Sequence, residues 1–149
     1  MIQEDYCSFE TSMILREKGF NECSHMQYNT FGDIGDYNIT DRSRYPERYI
    51  YAPTLQMAVK WIEKVHHILV VPDYIYECTP ESWCYKIYRL GANGKPERCV
   101  VKGVRYDKEK EDMVEEIVGY RDYDRSYEYY ERREEAVEEG IRYVLKKLI

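Results

Sequence analysis

The apolar positions of this chain alternate between two periods. In "APTLQMAVKWIEKVH", Leu55, Ala58, Val59, Ile62 and Val65 recur at steps of three and four, which lays one apolar stripe along a helix. Pro53 suits the first helical position, where its missing N–H would be unpaired anyway. Trp61 flanks the stripe, and His66 and His67 end the helix where carbonyls favour a cation. A second stripe runs to the C-terminus through Tyr130, Val137, Ile141, Val144 or Leu145, and Leu148. Ser126 is its expected N-cap, and Lys146 and Lys147 sit at the end favoured by the dipole. Ala136 and Gly140, four apart, let this helix approach a sheet or another helix closely. A shorter helix over Ser8 to Lys18 has Ser8 as N-cap, Glu10 in its first turn and Gly19 after its end. Phe9, Met13 and Phe20 would face the core.

Period two takes over after His67. "ILVVPDYIYE" is β-branched and aromatic and predicts a strand, with Pro72 at an edge, a bulge or a strand end. In "WCYKIYRLGANGKPERCVVKGVRY", Trp83, Tyr85 and Ile87 alternate with Cys84, Lys86 and Tyr88. Asn93-Gly94 supplies turn residues, and Cys99 to Val104 is the expected return strand. These segments predict a three-stranded antiparallel meander over Ile68 to Val104. "DKEKEDMVEEIVG" suits a short helix or an extended excursion of the hairpin. From Asn21 to Ile50 the pattern weakens to a long loop, with a strand near Ser24 to Thr30. Loops of that length inside a compact domain are often functional. The expected fold is α+β: one domain over residues 1–149, with a small antiparallel sheet of three to four strands. Two to three helices pack it, one of them C-terminal.

The bulk numbers narrow the function. A chain of 149 residues is one domain's worth and buries enough surface to fold without metal or disulfides. Twenty-eight acids against 22 bases give a net charge of −6, which argues against nucleic-acid binding, because that needs clustered Lys and Arg. Cys7, Cys23, Cys78, Cys84 and Cys99 form no C-x-x-C pair, and "MIQEDYCSFE" lacks the charged start and apolar run of a signal peptide. The longest apolar run, Ile68 to Pro72, is far short of a membrane span. These features predict a cytoplasmic protein with free thiols.

No catalytic constellation stands out. Cys23-x-His25, His66-His67 and Cys78 with Cys84 miss the paired spacing of structural zinc. No nucleophile elbow accompanies the cysteines and histidines. "GDIG" and "GANG" are glycine turns without the G-K-[ST] or helix start of a phosphate loop. No catalytic residue, metal site or cofactor is therefore expected.

Tyrosine is the compositional anomaly, with 17 Tyr against 3 Phe and 2 Trp. Tyr offers large contact area at low entropy cost and enriches binding surfaces. In "YRDYDRSYEYYERREEAVEEGI", Tyr120, Tyr123, Tyr127 and Tyr129 have no core assignment. Arg121, Arg125, Arg132 and Arg133 are outnumbered there by Asp122, Asp124, Glu128, Glu131, Glu134 and Glu135, a poor funnel for a polyanion and a better match to a protein partner. The first expectation is thus a non-enzymatic interaction protein using those four tyrosines on an acidic surface. The alternative is a small-molecule or nucleotide-binding domain, with or without catalysis, whose pocket lies between the sheet and the 52–66 helix and is lined by Trp61, His66, His67, Tyr85 and Tyr88. Homo-oligomerisation is a further expectation, because a small sheet leaves edges.

"SFETSMILREKGF", "APTLQMAVKWIEKVHHI", "WCYKIY" and "EEAVEEGIRYVLKKLI", in this order, resemble a family of short uncharacterised proteins of Bacteroides-type gut bacteria, their phages and mobile elements. The middle motif is the most specific. Residues 29–49 and 107–127 lie outside the resemblance. It implies an accessory role in a mobile element and transfers no catalytic residue.

Overall fold

A computed structural model describes residues 5–37, 43–76, 82–121, 123–126 and 128–149. The fold is α+β. Its described helices are α1 (Phe9–Glu17), α2 (Leu55–His66) and α3 (Arg133–Lys147). The strands are β1 (Gln27–Tyr28), β2 (Ile34–Gly35), β3 (Ile50–Tyr51), β4 (Ile68–Ile75), β5 (Ser82–Arg89), β6 (Cys99–Asp107), β7 (Asp112–Arg121) and β8 (Asp124–Arg125). They form three antiparallel sheets, ordered β2-β1-β3, β4-β5-β8 and β6-β7.

Local chemistry accounts for the helix boundaries. Ser8 caps α1 by accepting the Thr11 N–H, and Gly19 follows the helix at φ +99°, a conformation that favours glycine. The buried face of α1 is Thr11, Ser12 and Leu15, whereas Met13 is 39% exposed and not a core residue. Pro53 lies outside α2, because Thr54 is the cap and its Oγ1 accepts the Met57 N–H. The α2 stripe is rotated from the expected one: Leu55, Ala58, Trp61 and Ile62 are buried, while Val65 is half exposed. Trp61 takes the core position because Phe20 from α1's C-terminal side packs edge-on against it, ring centroids 5.5 Å apart. The helix ends at His67, which adopts left-handed backbone at φ 56°.

Phe20, Leu55, Trp61, Ile62, Val70, Tyr85, Ile87, Ile141, Val144 and Leu145 are core residues, gathered where α2 and α3 pack on β4 and β5 and α1 packs against α3. Gly140 allows the closest approach: a Cβ there would lie 2.6 Å from Val70 Cγ1 and 3.0 Å from Tyr85 Cγ. The expected role of the small residues is therefore met against the sheet. Glu138 of α3 receives the Ser8 N–H and the Thr11 hydroxyl at 2.8 Å each, placing a carboxylate at α1's positive end.

Strand pairing departs from the expected meander. β4 and β5 pair over their full length, with Pro72 opposite Tyr85 in an edge strand, where a missing N–H costs least. β5 does not pair with β6. Its other edge is taken by Asp124 to Ser126 and by Tyr130: Ile87 pairs with Asp124, and Trp83 and Tyr130 exchange both backbone hydrogen bonds. Ser126 consequently belongs to an extended segment and caps no helix, and its Oγ accepts the Tyr85 N–H at 3.2 Å. The Asn93-Gly94 turn does form, with Gly94 at φ +73°, yet it leads only to a single Leu90–Pro96 bridge. β6 pairs instead with β7, so the 112–121 segment is strand and not helix. Part of the expected 21–50 loop is a small sheet built from β1, β2 and β3.

Candidate functional site

The β6–β7 ribbon combines regular pairing with an uncovered apolar face. Asp107 Oδ1 accepts the Glu109 N–H at 2.9 Å and so nucleates the reversal, and Glu111 completes the turn at φ 52°. Opposed residues of an antiparallel pair share a face. The register sets Lys102 against Ile117, Val104 against Glu115, and Tyr106 against Met113. A bulge between Val101 and Lys102 leaves Val118 as the extra residue, so Tyr120 returns to the same face as Ile117. Val104, Tyr106, Met113, Ile117 and Tyr120 therefore form one stripe, each more than half exposed. The charges on that face are Lys102 and Glu115, 3.9 Å apart and both well exposed. On the opposite face, Arg105 is tied to Glu116 at 2.5 Å, and Gly103 leaves room for the Val118 side chain.

The four expected binding tyrosines have different surroundings. Tyr120 lies on the ribbon stripe and is 61% exposed. Tyr123 packs against Tyr88 at 5.6 Å, and the Lys86 ammonium lies 4.3 Å from its ring centroid. Lys86 also pairs with Asp73 at 2.9 Å, and its pKa is raised chiefly by that hydrogen bond. Tyr129 is about half exposed, next to the Tyr130 bridge. Tyr127 lies outside the described residues.

The five residues of the alternative pocket do not converge. Trp61 is buried against Phe20, and His66 meets it edge-on at 5.1 Å with an enclosed Nε2 that has no hydrogen-bond partner among the described residues. Tyr85 packs on Tyr130 and Tyr143, and burial first, then nearby acidic groups, push its hydroxyl up to about 12. Tyr88 is three residues along β5 and on the other face of the sheet, against Tyr123. His67 alone of the five lines one of the three principal clefts. That cleft of about 730 Å³ is bordered by Lys60, Lys64 and Leu90. A second, of about 660 Å³, lies beside Val59, Val70, Pro72 and Val137. The third, of about 420 Å³, lies between α1 and β3 and was not foreseen from the sequence.

Among the described residues no group of three or more His, Cys, Asp or Glu could hold a metal ion, and no helix is long and apolar enough to cross a membrane. Cys7, Cys23 and Cys84 are free thiols, and burial drives the Cys7 pKa upward, away from reactivity.

No protein-family model, curated protein or solved structure matches the chain.

Proposed function

We propose that this protein is a non-enzymatic interaction module that docks on a protein partner through the β6–β7 ribbon. The observation that carries this reading is the stripe of Val104, Tyr106, Met113, Ile117 and Tyr120 on a two-stranded ribbon bonded to no other described strand. A lone hairpin is marginal in water and gains from a covering surface or a third strand. Contiguous apolar patches on soluble proteins mark interaction sites. Covering the exposed part of Val104, Met113 or Ile117 would contribute about 1–2 kcal/mol each. Tyr120 supplies the aromatic anchor that such interfaces favour. The sequence resemblance adds a context, a cytoplasmic accessory factor of a phage or mobile element.

The test is a paired capture from lysate of the native host. A photo-crosslinker replaces Tyr106 in the wild-type protein and in a Val104→Lys/Ile117→Lys variant. Both side chains face solvent, so the variant should keep its circular dichroism and melting temperature. The expected result is a stoichiometric adduct with wild type that the variant loses. An equal adduct with both proteins, or none with either, refutes the reading. A covalent dimer lost in the variant would replace the foreign partner with a second copy of this chain.

A further inference from the structure

We propose that the cleft between α1 and β3 binds a small organic anion with a flat body, of the aryl phosphate or aryl carboxylate class. At about 420 Å³ it falls within the range of small-ligand pockets. Its walls are aromatic or flat, from Phe20, Pro46, Tyr49 and Tyr51. Tyr49 is steadied by Tyr37 at 5.0 Å, and Tyr51 reaches Cys23 Sγ at 3.6 Å. Its polar groups are unequally satisfied. Gln27 is spent, donating to the Ser24 and His25 carbonyls and accepting the Tyr37 N–H. Ser12, 1% exposed, is at the floor, and its Oγ has no hydrogen-bond partner among the described residues. An unsatisfied buried hydroxyl is costly and therefore informative, because a ligand atom would relieve it.

Charge decides the ligand class. Among the described residues Arg16 is the sole formally charged one lining the cleft, and it makes no ion pair with another described residue. It stands at the C-terminal end of α1, where the helix carries about half a negative charge that opposes an anion. A full guanidinium charge outweighs that half charge. The final carbonyls of Ile14, Leu15 and Arg16 are already occupied by the N–H groups of Lys18, Gly19 and Phe20. Guanidinium, hydroxyl and aromatic walls together fit an anionic head on a planar body. This site is separate from the ribbon and does not depend on the ribbon's role.

Phenyl phosphate is the probe, titrated into the ¹⁵N-labelled full chain with benzyl alcohol as the uncharged control. A ligand this small is expected to bind with a Kd on the order of 1 mM. Saturable amide shifts should centre on Ser12 to Asn21 and Tyr49 to Tyr51, and benzyl alcohol should produce none that saturate. Arg16→Gln, at an exposed position, should weaken binding about tenfold. Ser12→Ala should weaken it while leaving the melting temperature unlowered, since the hydroxyl satisfies nothing in the free protein. Overturning results are no saturable shift, shifts centred on Lys60, Lys64 and Gly91, or equal binding by benzyl alcohol. Unchanged affinity in Arg16→Gln, or a destabilised free Ser12→Ala protein, would also overturn it.

Discussion

The β4–β5 pair and the β6–β7 ribbon are built from similar material, antiparallel strands of eight to ten residues rich in Val, Ile and Tyr. Their surroundings are opposite. Val70 and Ile87 are 3% and 2% exposed, whereas Val104 and Ile117 are 64% and 57% exposed. The difference lies in what the flanking chain supplies. β4 follows α2 directly, and α3 returns across β4 and β5 with Gly140 at the contact. Ion pairs and a bulge hold the ribbon in register, but no described helix covers it. Strand patterning therefore sets which residues share a face, and tertiary cover decides whether that face is core or interface.

The sharpest way to break this comparison is to truncate one apolar side chain in each region. Leu145 is fully buried, so Leu145→Ala should cost about 2–5 kcal/mol through lost transfer energy and a residual cavity. Ile117→Ala should stay within about 0.5 kcal/mol in global stability, because solvent already touches the side chain. Urea denaturation of both variants measures the contrast. Comparable losses would mean that the ribbon folds as part of the core.

A second contrast is in pH. Burial pushes the Tyr85 hydroxyl up to about 12, above its ordinary value of 10.0. The folded state then holds the proton more tightly than the unfolded chain, so the stabilisation is complete below about pH 10 and lost between about pH 10 and 12. A two-unit shift corresponds to about 2–3 kcal/mol. Tyr85→Phe should therefore flatten the alkaline limb of the stability curve by about that amount. Tyr120→Phe, on the exposed ribbon, should leave it unchanged. Chemical denaturation at several alkaline pH values separates the two.

Much of the core side of this comparison was legible in the sequence. Ser8, Gly19 and the Ala136–Gly140 step are local signals used as their chemistry suggests, and the expected 55–65 stripe holds at Leu55, Ala58 and Ile62 but turns to bury Trp61 and expose Val65. Pairing was not legible, because a turn signal reports a chain reversal and says nothing about which strand edge is free. Asn93-Gly94 reverses the chain, but both edges of β5 are occupied, one by β4 and the other by β8 and Tyr130. Ser126 reads as a cap in the sequence because capping and strand-edge hydroxyls use the same atom. Of the ribbon stripe, Tyr120 alone was visible, through composition. The period-two pattern puts Val104 in the three-stranded sheet, and the acidic doublets around Met113 and Ile117 dilute their alternation. One available signal was Asp107 ahead of four charged residues, a side chain able to turn the backbone without glycine. The α1–β3 cleft unites residues 12 to 51 through tertiary packing, which no local pattern encodes.

The two glycines that touch valines offer a subtler contrast. At Gly140 an added methyl meets Val70 Cγ1 at 2.6 Å and the root of the Tyr85 ring at 3.0–3.1 Å. Both neighbours are buried and flanked by other core side chains, so Gly140→Ala forces overpacking worth about 1–3 kcal/mol, partly offset by about 1 kcal/mol of helix propensity. A net loss of up to roughly 2 kcal/mol is expected on thermal denaturation.

At Gly103 the corresponding clash is almost the same, 2.7 Å to Val118 Cγ1, and distance alone would predict the same result. Val118, however, is 60% exposed and occupies the bulge, so its side chain can rotate into solvent without displacing another residue. The added methyl also lowers the entropy of the unfolded chain, a gain of about 0.4–1 kcal/mol where the backbone conformation suits alanine. Gly103→Ala should therefore be neutral or slightly stabilising, by no more than about 0.5 kcal/mol, and should slow amide exchange across Val101 to Val104. A loss matching that of Gly140→Ala would show Val118 to be clamped, and the ribbon's second face would then be covered in solution. Equal contact distances thus have different energies, because what matters is whether the contacted side chain has somewhere to go.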